Sequence, residues 1–325
     1  MRFNKIAMLC FTFVMMVIVS ACGTNSASTS DKENKEDSAK TRIYKSDKGD
    51  IELPANPKRV VVADQDYVGE VLTLGVKPVG ASGWIFETPY YKDQLKGVES
   101  VGDKTSISIE KVAGLKPDVI LTYNEEYYEQ LSKIAPTVLL PFGKYDYRER
   151  LTKIGEILNK KEEAKKALAA FDEKVKTKKS ELFQKIDKNE KVALVELSDK
   201  QIYLFGKNYG RGGEIIYNEF GLHAPAKVEE AAFKTGWAEI SLEALPEYLG
   251  EADHIFLGVR GANVGAKNDE ARKKEIMSLK VWKDLPAVKA GNVHLYDVQT
   301  LYFQDIMALD NQIDFVSESL TANSK

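Results

Sequence analysis

The residues best suited to chemistry lie in one glycine-rich segment, NYGRGG, at positions 208–213. Arg211 stands between two glycines there, and Tyr209 lies two residues before it. A β-like run precedes the segment and apolar residues at helical spacing follow it, so we expect Arg211 in a tight strand-to-helix turn. A guanidinium held beside an aromatic ring suits a planar, oxygen-rich ligand. An ordinary glycine turn with a solvated arginine is the alternative that this pattern leaves open.

Aromatic residues gather where loops and strand ends are predicted. Tyr209 and Tyr302 both come shortly after a predicted strand, so they could face one cleft. The chain has 15 tyrosines and 13 phenylalanines, and most of these must belong to the core or its rim. The other candidates for the walls of a cleft are Trp84, Tyr123, Tyr127, Trp237 and Phe303.

The signatures of common enzyme classes are absent from the sequence. It contains no G-x-S-x-G, P-loop or H-E-x-x-H motif. The only cysteines are Cys10 and Cys22, and the three histidines are scattered. We therefore expect a binding protein rather than an enzyme, with no resident metal or cofactor. The formal net charge is −3 and no basic block occurs, so nucleic acid is not an expected partner.

The N-terminus predicts export. Residues 1–21 combine a basic start, a short apolar core and small residues, which is typical of a signal peptide. The sequence VSAC, which ends at Cys22, resembles a bacterial lipoprotein box, so Cys22 would carry a lipid; a plain signal peptide or an uncleaved anchor is the alternative. Residues 22–41 are polar and charged, and predict a flexible tether to the membrane.

The remaining chain predicts an α/β fold of two Rossmann-like lobes with mostly parallel sheets. Residues 42–147, the N-lobe, show a hairpin and then short apolar strands that alternate with helices. Residues 187–325, the C-lobe, repeat the alternation. Residues 148–186 have apolar positions at mostly helical spacing and predict one long helix that joins the lobes, with a break near Asn159 allowed by the sequence.

Each predicted lobe has a glutamate near the start of a helix that precedes a buried strand. SIEKV contains Glu110, and SLEAL contains Glu243. The match suggests equivalent exposed carboxylates in two similar lobes. Alternatively, both are first-turn glutamates that merely favour the start of a helix.

Several segments together carry a resemblance to a known family: PKRVVV, SIEKVAGLKPDVIL, FGKNYGRGGEIIYNEFGL, GWAEISLEALPEYL and LYFQD. With the lipoprotein box, they resemble the substrate-binding lipoproteins of iron-siderophore ABC importers, in particular FhuD-type proteins for ferric hydroxamates in Gram-positive bacteria. The family often has Asp-Pro after the position of Phe303, whereas this chain has Gln304-Asp305. The geometry of the rim is therefore expected to differ there.

The resemblance implies a monomer, anchored by Cys22 to the outer face of the cell membrane, that passes a ferric siderophore to a permease with a cytoplasmic ATPase. It implies that Arg211 contacts the oxygens around the iron and that Glu110 and Glu243 dock to the permease. It places Tyr209, Tyr302 and Phe303 on one wall of a shallow cleft, with the N-lobe residues Trp84, Tyr123 and Tyr127 opposite, and Trp237 is a further candidate for ligand contact.

The charge of the expected cleft favours a hydroxamate ligand. A ferric trihydroxamate is neutral or weakly cationic, whereas an anionic catecholate calls for several cationic side chains. Arg211 and Arg260 are the only cations that the sequence nominates. A citrate-catecholate siderophore, haem or a corrinoid is the alternative ligand.

Overall fold

Two five-stranded sheets, one in each lobe, organise the chain in the computed structural model of the protein. The structure describes residues 40–103, 106–197, 201–259 and 269–322. The predicted signal peptide, Cys22, nearly all of the tether and Arg260 lie outside these ranges. Among the described helices, none has both the length and the apolar character needed to cross a bilayer.

The N-lobe begins with the predicted hairpin and continues as a parallel sheet in the order β5-β4-β3-β6-β7. The chain runs from β3 outward to β5 on one side and from β6 to β7 on the other, so a crevice opens between the carboxyl ends of β3 and β6. The strands are β1 (Thr41–Ser46), β2 (Gly49–Pro54), β3 (Val60–Val62), β4 (Gly80–Ser82), β5 (Glu99–Gly102), β6 (Val119–Thr122) and β7 (Thr137–Leu139). The helices are α1 (Val68–Thr73), α2 (Ile109–Gly114) and α3 (Glu125–Leu131).

The segment that joins the lobes consists of two helices, α4 (Tyr147–Ile157) and α5 (Lys161–Leu182). A capping box of Asp146 and Glu149 begins α4. The break comes at Asn159, whose φ of 56° is left-handed and belongs to a residue type that tolerates that region. The predicted linking helix, with a break near Asn159, is therefore confirmed.

The C-lobe sheet has the order β10-β9-β8-β11-β12. Strands β8, β11 and β12 are parallel, whereas β9 is antiparallel to both of its neighbours, β8 and β10. A short connection joins β8 to β9, and such a connection allows only an antiparallel pair. The strands are β8 (Val192–Leu197), β9 (Ile202–Phe205), β10 (Trp237–Ile240), β11 (His254–Val259) and β12 (Val293–Asp297). The α/β class with mostly parallel sheets is confirmed, and the sequence did not predict the four-residue strand β10.

The helices of the C-lobe cover its sheet and reach back to the N-lobe. They are α6 (Ala226–Ala232), α7 (Leu245–Leu249), α8 (Asp269–Ser278), α9 (Lys280–Lys283), α10 (Pro286–Lys289), α11 (Val298–Tyr302) and α12 (Ile306–Thr321). Helix α12 packs against both α1 and α5. Buried side chains of both lobes, such as Tyr67 and Leu309, belong to one continuous apolar core. The two lobes are therefore packed together as well as linked by the chain.

Candidate ligand-binding cleft

The turn that holds Arg211 is left-handed over three consecutive residues. The φ angles are 73° at Gly210, 57° at Arg211 and 85° at Gly212. A Cβ at Gly210 would lie 2.3 Å from the carbonyl oxygen of Tyr302, so only glycine allows the two backbones this close. The turn therefore brings Arg211 next to Tyr302, about ninety residues along the chain. The helix that follows is a π-helical turn (Glu214–Glu219).

The side chain of Arg211 is held by three neighbouring side chains and is largely shielded from solvent. It is 9% exposed, and its Nε donates a hydrogen bond to Oε2 of Glu196 at 2.8 Å. The guanidinium carbon lies 4.6 Å from the ring centroids of both Phe205 and Tyr302, within range of cation–π attraction. Because Glu196 lies fully buried in β8, the positive charge of Arg211 has a fixed counter-charge. The alternative of a solvated arginine in an ordinary turn is therefore wrong.

A cavity of about 70 Å³ lies in front of Arg211, between the lobes. We call it the cleft. Its walls are Asp66 and Phe142 of the N-lobe, Arg150 of α4, and Asn208, Tyr209, Arg211, Tyr302 and Gln304 of the C-lobe. The prediction that Tyr209 and Tyr302 face one cleft is thus confirmed.

Tyr302 connects the two sides of the cleft. Its ring meets that of Trp84 edge-on, with 4.7 Å between centroids, so Tyr302 of the C-lobe is in direct contact with Trp84 of the N-lobe. Burial, together with the nearby carboxylate of Asp66, raises the pKa of Tyr302 to about 12 despite the opposing effect of Arg211. The phenol is therefore a neutral hydrogen-bonding group at physiological pH. Tyr209 is more exposed and stacks on Phe205 at 6.1 Å.

Tyr123 and Tyr127 lie beside the cleft, around a smaller cavity of about 50 Å³ at the switch point between β3 and β6. Asp64 occupies this point, where its carboxylate accepts hydrogen bonds from the Thr122 hydroxyl at 2.6 Å and the Tyr123 amide at 2.7 Å. Burial raises the pKa of Asp64 in spite of these bonds. The hydroxyl of Tyr123 lies 3.3 Å from Oδ2 of Asp66, a cleft residue, so the small cavity adjoins the cleft.

Two of the aromatic residues that were predicted to line the cleft lie outside it. Phe303 is buried and packs edge-on against Tyr91 at 5.4 Å, because consecutive residues at the end of α11 point in different directions. Trp237 lies on the edge strand β10 and meets Tyr203 at 5.6 Å. Neither Phe303 nor Trp237 lines the cleft or the small cavity beside it.

Sequence reasoning missed a second arginine in the cleft. Arg150 of α4 forms a buried ion pair with Glu70 of α1, and its Nη2 donates to the carbonyl of Gln304 at 2.8 Å. Burial raises the pKa of Glu70 to about 7, with a smaller contribution from the nearby Asp305, although Arg150 opposes both. The sequence did contain an indication of buried ion pairs. Glu70 interrupts the apolar run GEVLTL, and Glu196 interrupts the apolar run VALVEL. A carboxylate in a buried element calls for a cationic partner.

The glutamates Glu110 and Glu243 are both exposed. Glu110 lies in the first turn of α2, after the N-cap residue Ser108. Glu243 lies in a short 3-10 turn (Leu242–Ala244), and a hydrogen bond from Ser241 lowers its pKa. These segments follow β5 and β10, and both strands end at the carboxyl edge of their sheet. The two carboxylates therefore occupy equivalent places in the two lobes.

Comparison with known proteins supplies an independent line of evidence. Residues 60–300 match the family model described as periplasmic binding protein. The chain is 36% identical over 325 residues to the iron(3+)-hydroxamate-binding protein FhuD of Bacillus subtilis, with 98% of each chain covered.

Solved structures agree with this match. A periplasmic binding protein component of a ferrichrome ABC transporter from Bacillus subtilis superposes with a TM-score of 0.76 at 36% identity, covering 86% of this chain and 99% of that one. FhuD2 of Staphylococcus aureus with bound ferrioxamine B gives a TM-score of 0.72 at 29% identity, covering 83% of this chain and all of that one (100%).

Proposed function

Because the chain belongs to the periplasmic binding protein family, we propose that it is the substrate-binding component of an ABC importer for ferric siderophores of the hydroxamate class. The family consists of substrate-binding proteins rather than enzymes. The observation that carries the proposal is the position of Arg211, held by Glu196 between two aromatic rings at the wall of a cleft between the lobes.

The cleft has the chemistry to bind a ferric hydroxamate. The hydroxamate oxygens around the iron carry partial negative charge, and the N–H groups of Arg211 can donate to them in a fixed geometry. The rings of Tyr209 and Tyr302 offer apolar faces to the organic backbone of the ligand. Iron is cargo held by the siderophore, so the protein itself needs neither a metal site nor a cofactor.

The balance of charge in the cleft favours a neutral or cationic complex. Each arginine that lines the cleft, Arg150 and Arg211, has a buried glutamate partner. An anionic catecholate or citrate complex would therefore meet little uncompensated positive charge. This supports hydroxamates over the mixed citrate-catecholate alternative. A flat macrocycle such as haem or a corrinoid lacks the ring of hydroxamate oxygens that suits a single fixed guanidinium.

The proposal includes delivery to the membrane. Glu110 and Glu243, exposed at equivalent places in the two lobes, are suited to pair with basic pockets on the two permease subunits, which a cytoplasmic ATPase drives. A lipid on Cys22 and the polar tether would hold the monomeric protein near the permease on the outer face of the cell membrane.

The test is a fluorescence titration of the purified mature protein with four iron complexes: ferric desferrioxamine B, ferrichrome, a ferric citrate-type siderophore and a ferric catecholate. Trp84 contacts Tyr302, which lines the cleft, and should report binding by quenching of its fluorescence. We expect saturable quenching at low concentration with the hydroxamates only. Tight binding of the catecholate without a response to either hydroxamate would contradict the proposed ligand class, and haem binding seen by absorbance would favour the macrocycle.

A further inference from the structure

A third cavity opens from the cleft and has a larger volume than the cleft. This cavity, which we call the side chamber, has a volume of about 420 Å³. It shares four wall residues with the cleft: Phe142, Arg150, Asn208 and Gln304. Sites for organic ligands are commonly about 300–1,000 Å³ in volume. The cleft alone is too small to enclose such a ligand, and the side chamber provides the space.

The walls of the side chamber are richer in carboxylates than in available cations. Asp146, Glu214 and Glu219 line it together with Arg148 and Arg150. Arg148 contacts Asp172 at 2.5 Å and Glu219 at 3.2 Å, and Arg150 is paired with Glu70 outside the chamber. Both arginines are therefore already neutralised.

Glu214 differs from the other carboxylates of the side chamber. Glu219 has Arg148 and the Tyr147 hydroxyl as partners, and Asp146 caps α4 by accepting from two backbone amides. Glu214 accepts a hydrogen bond from Nδ2 of Asn218 at 2.9 Å and makes no ion pair within the part of the chain that the structure describes. It is a half-buried carboxylate without a counter-ion, facing space that a ligand can enter.

We propose that the side chamber receives a cationic arm of the ferric hydroxamate and that Glu214 binds its terminal ammonium group. This inference rests on the proposed function and narrows the ligand class. It predicts that linear trihydroxamates with a pendant amine bind in preference to uncharged trihydroxamates. The iron and its oxygens would stay in the cleft at Arg211, and the arm would pass between Asn208 and Gln304 into the side chamber.

The electrostatics of Glu214 support a cationic occupant. Burial, together with the neighbouring carboxylates of Glu219 and Asp146, raises the pKa of Glu214 to about 7, against the opposing effects of the Asn218 hydrogen bond and of Arg148. An ammonium group placed there would replace the missing counter-charge and lower this pKa. Asp66, the carboxylate at the other side of the cleft, does not line the side chamber.

The experiment compares two ligands that differ in one charge. Ferric desferrioxamine B carries a terminal ammonium, and its N-acetyl derivative keeps the same three hydroxamates without that charge. For the wild type we expect the amine form to bind roughly fivefold more tightly, the scale of one partly exposed ion pair. Glu214→Gln should bring the two dissociation constants together, while the constant for the N-acetyl ligand stays unchanged and shows that the site is intact.

Two matched carboxylate variants locate the effect. Glu230→Gln changes an exposed glutamate on α6 and should keep the wild-type ratio. Asp66→Asn removes the carboxylate on the N-lobe wall of the cleft; this change can alter both dissociation constants, but their ratio should stay that of the wild type. Equal affinities in the wild type, an unchanged ratio in Glu214→Gln, or a ratio lost in Asp66→Asn instead would each overturn the inference. Absence of binding by both ligands would instead reject the proposed function itself.

Discussion

Tyr91 of the N-lobe donates a hydrogen bond to the carboxylate of Asp305 in the C-lobe, and both side chains are almost completely buried. Asp305 also accepts from the amide of Ala308 at 3.0 Å and so caps α12. The lobes are therefore joined by a hydrogen bond to a buried carboxylate as well as by apolar packing. Such an interface resists opening, because separation would leave the carboxylate without its partner.

Tyr91→Phe should lower the free energy of unfolding by about 1–3 kcal/mol. The change keeps the ring and removes the hydrogen bond, which leaves a buried acceptor short of one donor. Urea denaturation of the two proteins measures the difference. Tyr128→Phe, which alters a partly exposed tyrosine of α3, is the matched control and should change stability little; equal effects of the two substitutions would contradict the role of Tyr91.

Gly69→Ala should destabilise the protein by about 1–3 kcal/mol through overpacking between the lobes. A Cβ at Gly69 would lie 2.0 Å from Cγ of Asp305, so α1 and α12 would have to move apart. Gly114→Ala is the control, since a Cβ there meets nothing within 4 Å. That second change should be neutral or slightly stabilising, because alanine favours a helix over glycine. Thermal unfolding compares the two, and similar melting temperatures would refute the tight contact.

The role of Arg211 in binding can be separated from its role in folding. Arg211→Met alone removes the cation that pairs with the buried carboxylate of Glu196 and should cost about 3–5 kcal/mol of stability. The double variant Arg211→Met, Glu196→Gln removes both charges and should recover most of that loss. Its affinity for ferric desferrioxamine B should remain at least about tenfold weaker than that of the wild type, a loss of about 1.4 kcal/mol of binding free energy. Wild-type affinity in the double variant would show that Arg211 has only a structural role.

Glu214 should make stability depend on pH in a defined direction. Its folded pKa, about 7, lies above the ordinary glutamate value of 4.5, so the folded state holds the proton more tightly than the unfolded state. The contribution of protonated Glu214 to the free energy of unfolding is fully present below pH 4.5. It is lost as the pH rises through the folded pKa of about 7. Glu214→Gln removes the loss, and the variant should exceed the wild type by up to about 3 kcal/mol at pH 8 and equal it near pH 4. Urea titrations at both pH values test this; a constant difference would contradict it.

The exposed glutamates should matter for transport and not for binding. Glu110→Ala combined with Glu243→Ala should abolish uptake of a radiolabelled ferric hydroxamate by cells, because both permease contacts would lose their charge. Affinity of the purified double variant should equal that of the wild type, since neither residue lines the cleft. Exposed Glu230→Ala serves as the control for uptake. Weakened ligand binding would show instead that the two glutamates support the fold.

The sequence by itself determined the features that depend on residues close to each other along the chain. The alternation of apolar strands with amphipathic helices predicted two α/β lobes, and the position of Asn159 marked the break between α4 and α5. The glycines around Arg211 predicted its tight turn, because glycine allows the left-handed backbone that the structure shows at Gly210 and Gly212. These are local properties of the chain, so local patterns were sufficient.

Only the tertiary structure decided what surrounds Arg211. Glu196 reaches it because β8 lies next to the turn in space, and Arg150 enters the cleft because α4 crosses between the lobes. Tyr302 faces the cleft while its neighbour Phe303 is buried, a difference that composition does not reveal. The side chamber exists only where α4 and the π-helical turn (Glu214–Glu219) face each other. Such relationships join residues distant in sequence, and they are set by strand order and by the packing of one lobe against the other.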